Sequence, residues 1–232
     1  MLRRRFDREM MDDFSVQDER IDRALEELKR INRYLGGRTT TRKALRMLHQ
    51  RGTPRQPLSV LDVGAGGADV LEGMNGTVKV TALDRNPRAC RFLKDRGYAE
   101  VVCANVLQAP FGEQTFDVVH ASLVLHHFQG EDLRRVLCSC LRISRHAVII
   151  NDLRRSVFAW LGIRMLTAVF SKSPMVKHDG PVSVLRGFTK KELEDLFASC
   201  GVTKYILRRT WAFRWMVVVE KQTRRTLPDE AV

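Results

Sequence analysis

Short apolar runs alternate with helix-like segments from Leu58 onward, and this alternation restricts the fold more than any other feature of the chain. Runs rich in Val, Ile and Leu predict strands at 58–63, 78–84, 99–104, 116–122 and 146–152. Helices are predicted at 86–96 and 131–142. Parallel strands joined through helices need right-handed crossovers, so the pattern predicts an α/β fold with a doubly wound, mostly parallel sheet.

The C-terminal third adds a helix and two more strands. Thr189, with Glu192 three residues later, forms a capping box that starts a helix over 189–200, and Gly201 ends it. The runs 202–209 and 213–221 predict an antiparallel hairpin. The hairpin would complete a seven-stranded, Rossmann-like sheet.

Two basic and partly apolar segments fall outside this sheet. The first segment is predicted to contain a helix over 15–35, a short helix over 41–50 and a linker over 51–57. In the first of these helices the apolar residues recur at helical spacing: Ile21, Leu25, Leu28, Ile31 and Leu35. The second, 157–170, is apolar, shorter than a bilayer span and interrupted by Arg164, and a long loop is predicted at 171–188.

These patterns divide the chain into parts. We expect an N-terminal helical lid over 1–55 and a Rossmann-like domain over 56–222, with a second lid segment inserted at 153–188. A flexible tail is expected over 223–232.

The net charge of +13 is concentrated in the flanks. Lys and Arg outnumber Asp and Glu by 15 to 9 in residues 1–55 and by 15 to 7 in residues 153–232, but residues 56–152 hold 10 and 11. Basic flanks suit an anionic small molecule, a membrane surface or nucleic acid, and they also favour solubility.

The cysteines indicate the compartment. There are five, scattered and without a CxxC pair, which argues against a disulfide framework or a metal site and favours a reducing cytoplasm. The first ten residues are charged and lack an apolar core, so no signal peptide is expected.

The stretch VLDVGAGGADV carries the chemistry. Asp62 ends the first strand, and Gly64, Gly66 and Gly67 follow, where ligands bind beyond the carboxyl ends of parallel strands. Asp84 lies 20 residues after Gly64 at the end of the second strand. This spacing lets its carboxylate accept hydrogen bonds from both hydroxyls of a ribose.

The residues around the glycine loop suit a cationic ligand better than a pyrophosphate. A dinucleotide fingerprint needs a third glycine at position 69, where this chain has Asp69. A carboxylate there would repel a pyrophosphate, and Asp62 adds a second negative charge. S-adenosylmethionine, which carries a sulfonium and an ammonium group, fits these charges better than NAD.

Four features together resemble a class I S-adenosylmethionine-dependent methyltransferase. These are VLDVGAGGADV, VTALDRNP, NVLQAPFGEQTFDVVHASLVLHHF and the helix–hairpin ending. Within that class, the chain is similar to the small-molecule group related to the ubiquinone/menaquinone-biosynthesis methyltransferases.

The resemblance implies a set of cofactor contacts. Asp62 and the loop Gly64-Ala65-Gly66 would hold the methionine portion, and Asp84 would hold the ribose. Arg85 and the pair Asn105-Val106 would lie beside the adenine, and the floor below the methyl group would be Ala121 and Ser122 with Leu123. The family often has glycine where this chain has Ala68, a difference that Gly67 can compensate. It usually has aspartate where this chain has Asn105, so weaker but not lost cofactor binding is expected.

Methyl transfer is an in-line displacement that depends mainly on positioning, and a base is needed only if the acceptor must lose a proton. Candidate bases are His178, on the predicted loop, and His127, with His126 as a substrate contact; His120 could face the pocket or the core. Candidate substrate-binding residues also include Arg154, Arg155, Trp160 and Arg186, whose alternatives are surface solvation or ordinary core packing.

The predicted activity is methylation of an oxygen or carbon of a small aromatic, quinone-like or polyketide-like acceptor, anionic or lipophilic, by a monomer or homodimer. An RNA methyltransferase is the first alternative, although the Asn/Asp-Pro-Pro-aromatic tetrad of base-methylating enzymes is missing after the fourth strand. Nucleic acid is therefore not the expected partner. The second alternative is a non-catalytic protein that contacts a membrane surface through its basic lid.

Overall fold

The computed structural model describes residues 3–51, 57–67, 69–74 and 76–221. Ala68, most of the predicted linker (52–56) and the predicted tail (223–232) lie outside the described residues.

The described residues form one mixed, seven-stranded sheet with the order β3-β2-β1-β4-β5-β7-β6. The first five strands run parallel, and β7 is antiparallel to both of its neighbours, which confirms the predicted fold class. The strands are β1 Leu58–Val63, β2 Val78–Asp84, β3 Val101–Cys103, β4 Phe116–Ser122, β5 Ser144–Leu153, β6 Tyr205–Thr210 and β7 Arg214–Glu220.

Seven α-helices accompany the sheet in the described ranges. They are α1 Glu19–Tyr34, α2 Gly37–Gln50, α3 Pro87–Asp95, α4 Gly130–Ile143, α5 Val157–Phe170, α6 Pro174–Arg186 and α7 Lys190–Ser199. The capping box of Thr189 and Glu192 is formed at the start of α7. None of the helices that the structure describes has the length and apolar character needed to cross a bilayer.

The two faces of the sheet are covered by helices from different parts of the chain. One face packs on α4 and α7, for example through Val136, Leu137 and Phe197. The other packs on α2, whose Ala44, Leu45 and Leu48 contact residues of the central strands. Between β1 and β2, the described residues form turns and no helix. The helix α2, which we predicted as part of a lid, therefore belongs to the sheet core.

The start of α2 also differs from the prediction. The helix begins at Gly37, four residues earlier than expected, because Gly36 adopts a left-handed conformation with φ +77° and reverses the chain within a short turn. A Cβ atom on Gly37 would lie 2.9 Å from the Asn32 side chain, so the two helices meet closely at this point.

The prediction of a long loop at 171–188 is wrong, because residues Pro174–Arg186 form α6. Ser173 caps this helix by accepting a hydrogen bond from the Val176 amide, and Pro174 occupies its first turn, where a missing N–H is tolerated. Pro181 lies inside the helix, and packing against α5 compensates for the backbone hydrogen bond that a proline cannot make. His178 is therefore a helical residue.

Candidate active site

A cleft of about 570 Å³ opens at the carboxyl ends of β1, β2 and β4. The sheet supplies its floor through the loops after these strands. The walls come from the segment before α1, from one face of α1 and from α6. This position at the strand ends is where open α/β sheets bind ligands.

The glycine loop after β1 is shaped by its lack of side chains. Gly64 and Gly66 have φ values of +61° and +51°. A Cβ atom on Gly64 would lie 2.4 Å from the Val124 side chain, so no larger residue fits there. The turn brings the Gly66 amide to the end of the next strand.

Asp84 is fixed at the end of β2 by two backbone groups. Its Oδ2 accepts a hydrogen bond from the Gly66 amide at 2.7 Å, and its Oδ1 accepts one from the Asn86 amide at 2.8 Å. Burial raises the pKa of Asp84, and these backbone donors oppose the increase. Because each oxygen keeps a further lone pair, the carboxylate can still accept from a pair of vicinal hydroxyls.

Asp69 is a buried carboxylate that faces the same cleft. Its Oδ1 accepts a hydrogen bond from Asn32 at 3.3 Å, whereas its Oδ2 has no hydrogen-bond partner among the described residues. Burial raises the pKa of Asp69 to about 6, against the opposing effects of Asn32 and the charge of Arg38. An unpaired oxygen beside the glycine loop favours a ligand with a cationic group.

Asp62 connects the cleft to the core. Its Oδ1 lies 2.7 Å from Nδ1 of His120, and Nε2 of the same ring lies 2.9 Å from Oγ1 of Thr41 on α2. His120 is fully buried and is not among the described residues that line the cleft. Of its two alternatives, the structure places it in the core, where it orients Asp62.

The network continues through β5 to β7. Asn151 donates to Thr41 Oγ1 at 3.0 Å and accepts from Arg214 at 3.2 Å. Arg214, also fully buried, donates to Asn32 Oδ1 at 2.7 Å and to the Leu35 carbonyl at 2.8 Å. Since Asn32 contacts Asp69, one chain of buried hydrogen bonds links both acids of the glycine loop to α1 and α2.

The remaining predicted cofactor residues lie around this loop. Arg85 packs over the ring of Phe14 at 4.3 Å, and Oδ1 of Asn105 accepts from the Leu107 amide at 3.0 Å. Both residues line the cleft, as do Ala65, Val106 and Ser122, whose buried hydroxyl has no partner among the described residues. Ala121 is buried inside β4 and does not appear among the described lining residues.

His126 forms a buried ionised group at one side of the cleft. Its Nδ1 lies 2.7 Å from Oδ1 of Asp152, and its Nε2 lies 3.6 Å from Oε1 of Glu9. Burial alone would lower the pKa of His126, but the two carboxylates outweigh it and raise the value to about 9. At neutral pH this ring is therefore a cation.

His127 stacks on His126 with the ring centroids 4.3 Å apart. Its Nδ1 lies 2.9 Å from Oδ1 of Asp12, and its Nε2 lies 4.0 Å from Oε2 of Glu9, beyond hydrogen-bond distance. A carboxylate at Nδ1 holds the ring proton on that nitrogen. Nε2 is then the ring nitrogen that can exchange a proton with a ligand in the cleft.

Arg186 of α6 binds the segment before α1 to this cluster. It donates to Glu9 at 3.1 Å and to Asp12 at 2.8 Å. Burial would raise the pKa of Glu9, but His126, His127 and Arg186 lower it to about 2. Ligand atoms of Glu9, His126 and His127 lie within 4.8 Å of one another, a spacing that could hold a metal ion, but Arg186 already pairs with the carboxylate.

Besides Ala121, four predicted residues are not brought to the cleft lining that the structure describes. The His178 side chain is half-exposed and contacts Asp179 at 2.8 Å. Arg155 donates to the Gly187 carbonyl and to Glu192, both at 2.6 Å, and Arg154 packs over Phe213. Trp160 stacks with Arg164 on α5.

Sequence reasoning missed several acidic contributors to the site. Asp179 accepts from the amides of Met10 and Met11 at 2.7 and 3.0 Å, and so fixes the segment that carries Glu9 and Asp12. These contacts join residues more than 100 positions apart, for which no local pattern exists. The sequence shows that Asp69 replaces the third glycine of a dinucleotide fingerprint. It does not show that Asn32 is the hydrogen-bond partner of Asp69.

Comparison with known proteins agrees with this geometry. Residues 61–150 match a family model described as a methyltransferase domain. No curated protein sequence matches the chain at a significant level.

Several solved structures share the fold. The plantazolicin methyltransferase BpumL, in complex with a triazolic desmethyl analogue and SAH, has a TM-score of 0.67 at 14% identity, covering 87% of this chain and 91% of that chain. A protein from Thermotoga maritima named as a possible histamine N-methyltransferase gives 0.58 at 16% identity, covering 88% and 99%. A SAM-dependent methyltransferase from Aquifex aeolicus gives 0.54 at 14% identity, covering 76% and 88%.

The matched methyltransferase domain, the sheet topology and the cleft at the strand ends lead to one conclusion. Residues 61–150 form a methyltransferase domain, and the described part of the chain has the fold of S-adenosylmethionine-dependent methyltransferases of known structure.

Proposed function

We propose that this methyltransferase modifies an oxygen or carbon of a small aromatic, quinone-like or polyketide-like acceptor, as the ubiquinone/menaquinone-related group that its motifs resemble would. The observation that carries the proposal is the pair Asp12–His127 in the cleft lining, where the carboxylate lies at Nδ1 and the other ring nitrogen, Nε2, is 4.0 Å from Glu9. Such a nitrogen suits an acceptor that must lose a proton, such as a phenol or an enol.

The cofactor end of the cleft is assigned to the glycine loop and its acids. Asp84 would accept from the ribose hydroxyls, with Arg85, Asn105 and Val106 beside the adenine. Asp62 and the loop Gly64-Ala65-Gly66 would hold the methionine portion of S-adenosylmethionine, and the unpaired oxygen of Asp69 would accept from its ammonium group. The bound cofactor supplies an electrophilic methyl group on a sulfonium, and two nearby carboxylates favour that positive charge.

His127 is assigned as the base. Asp12 fixes its tautomer, and the stacked His126 is held in place by Asp152. His126 cannot accept a further proton at neutral pH, because its raised pKa keeps it charged. The structure places His178 outside the cleft lining, so the proposal gives it the smaller task of contacting Asp179, which anchors the segment before α1.

The walls of the cleft fit an aromatic or lipophilic acceptor. Apolar side chains from the N-terminal segment, α1 and α6 line it, namely Met11, Phe14, Ile21, Leu25, Leu28 and Val176. Arg8 also lines the cleft and can pair with an acidic substituent. Flat rings and an acidic group are both common in phenolic and quinol acceptors.

Two similar structures support an acceptor of small-molecule size. BpumL was solved with a triazolic desmethyl analogue, and the Thermotoga protein is named for histamine. We further infer a cytoplasmic location from the cysteines, all five of which are free thiols. The proposal takes the active unit to be a monomer or a homodimer.

The test is a screen with a labelled methyl donor. Phenols, quinols, 1,3-diketones and histamine are offered to the purified chain, and labelled product and SAH are both measured. We expect labelled product from a phenolic or enolic acceptor. We also expect His127→Ala to lose this product while it still binds SAH. Product from histamine alone would overturn the assignment to oxygen or carbon.

A further inference from the structure

The outward face of α5 exposes apolar side chains along its whole length. Six large apolar residues on this 14-residue helix are exposed, and we call them the α5 surface: Val157, Phe158, Leu161, Met165, Val169 and Phe170. Phe158 and Phe170 are 75% and 77% exposed, close to the full accessibility of a side chain. Isolated apolar residues are common on protein surfaces, but a continuous group of this kind marks an interaction site.

The inner face of the same helix packs against α6 and is mainly apolar, with the Thr167 hydroxyl bonded to the Ile163 carbonyl. Ala159 and Thr167 are buried, and Ile163 lies so near Gly180 of α6 that a Cβ atom there would be 3.1 Å from it. A helix that is apolar all round normally lies inside a protein or in contact with lipid. One half of α5 meets α6, and the other half has no cover among the described residues.

The residues of α5, of the turn after it and of α6 carry mainly positive charge, although Glu27 of α1 accepts hydrogen bonds from the Lys172 and Ser173 amides at this turn. Arg164, Lys172 and Lys177 are exposed on α5, on the turn after it and at the start of α6. Asp179 is the only acidic residue of the sequence between 153 and 188, and it is buried against the amides of Met10 and Met11. The chain as a whole carries +13.

We propose that the α5 surface binds an anionic phospholipid bilayer, with α5 lying in the plane of the headgroups and its apolar side chains inserted below them. A helix of 14 residues is too short to span a bilayer but long enough to lie in its interface. Exposed lysine and arginine at its rim would pair with lipid phosphates.

A second copy of the chain fits this surface less well. A symmetric dimer places the same patch on both subunits, so the positive charges of Arg164, Lys172 and Lys177 from both subunits would be brought to one interface. Like charges at an interface disfavour association, whereas an anionic membrane offers the opposite charge. The charge pattern therefore selects the lipid surface.

This docking would place the cleft one helix away from the membrane. Val176, Gly180 and Ser183 of α6 line the cleft, while Gly180 also packs against α5. An acceptor dissolved in the bilayer could reach the cleft without crossing bulk water, a consequence that rests on the proposed function. The membrane contact itself does not depend on which acceptor is methylated.

The experiment is flotation of the full chain with two kinds of vesicle, phosphatidylcholine alone and phosphatidylcholine mixed with phosphatidylglycerol. We expect binding to the mixed vesicles, weakened by added salt because exposed charges are screened. The double variant Phe158→Ser with Phe170→Ser should bind at least about tenfold more weakly, because two aromatic side chains no longer insert.

The matched control uses two equally exposed aromatic residues elsewhere. Tyr34 and Trp211 are 72% and 73% exposed. The double variant Tyr34→Ser with Trp211→Ser should float with the vesicles as the parent does. Calorimetry with SAH on every variant shows that the fold and the cofactor site are intact. Failure of the proposed function would appear in the acceptor screen and not in flotation. No flotation of the parent at low salt, an equal loss in the control, or a parent dimer that the α5 substitutions dissociate would each overturn the proposal.

Discussion

At the scale of single residues, two carboxylates of the cleft have different proposed tasks. Asp84 faces the ribose side and Asp69 the ammonium side of the cofactor. Asp84→Ala should weaken SAH binding by about 1–3 kcal/mol, the usual cost of a lost hydrogen bond to a charged group. The same substitution should weaken the binding of methylthioadenosine by a similar amount, because methylthioadenosine has the ribose but no amino-acid portion.

Asp69→Asn should distinguish the ammonium side of the cofactor site from the ribose side. It removes the charge that we pair with the ammonium, so SAH binding should weaken by about 1–3 kcal/mol while methylthioadenosine binding stays unchanged. Isothermal calorimetry with both ligands measures this. An equal loss for both ligands would mean that Asp69 acts on the loop and not on the ammonium.

A third residue-scale prediction separates the two candidate bases. His127→Ala should lower turnover by roughly 10²–10⁴-fold with little change in SAH affinity, because a positioned base contributes about that much. His178→Ala should keep turnover near that of the parent, since its ring lies outside the described cleft lining. The reverse order of effects would restore His178 as the base.

At the scale of secondary-structure elements, Arg214 joins β7 to α1 and β5 through its hydrogen bonds to Asn32, the Leu35 carbonyl and Asn151. Arg214→Met should lower the free energy of unfolding by about 3 kcal/mol, because Asn32, Asn151 and the Leu35 carbonyl each lose a donor. Urea denaturation measures the change. The exposed neighbour Arg208→Met serves as the control and should change stability by less than about 0.5 kcal/mol.

The segment before α1 is held to α6 by Asp179 and Arg186. Asp179→Asn should loosen it, because the amides of Met10 and Met11 lose a charged acceptor. Limited trypsin digestion should then cut faster between Arg3 and Arg8. Asp195→Asn, which breaks an exposed ion pair with Lys191 on α7, is the control; equal acceleration in it would argue against the anchoring role.

At the scale of the whole molecule, the buried His126 makes stability depend on pH. Its folded pKa, about 9, lies above the ordinary value of 6.5, so its contribution is fully present below about pH 6.5 and is lost as the pH rises through 9. The melting temperature should fall across this window. In His126→Gln the fall should flatten, and an unchanged slope would contradict the assignment.

Glu9 acts in the opposite direction at low pH. Its folded pKa, about 2, lies below the ordinary 4.5, so its contribution is present above pH 4.5 and is lost as the pH falls toward 2. For these two groups alone, stability is greatest between about pH 4.5 and 6.5. The segment that carries Glu9 should therefore detach at acid pH, which proteolysis at pH 3 to 5 with pepsin can follow.

The sequence by itself determined the sheet and the cofactor loop. Strand positions, the terminal hairpin and the glycine turn follow from periodicity, capping and backbone sterics, which act over a few residues, and the structure confirms them. Only the tertiary structure decided that residues 174–186 form a helix, that α2 belongs to the core, and that Glu9 and Asp12 meet His126 and His127. Those outcomes depend on contacts between distant parts of the chain, whose energies come from burial and charge pairing that no local pattern encodes.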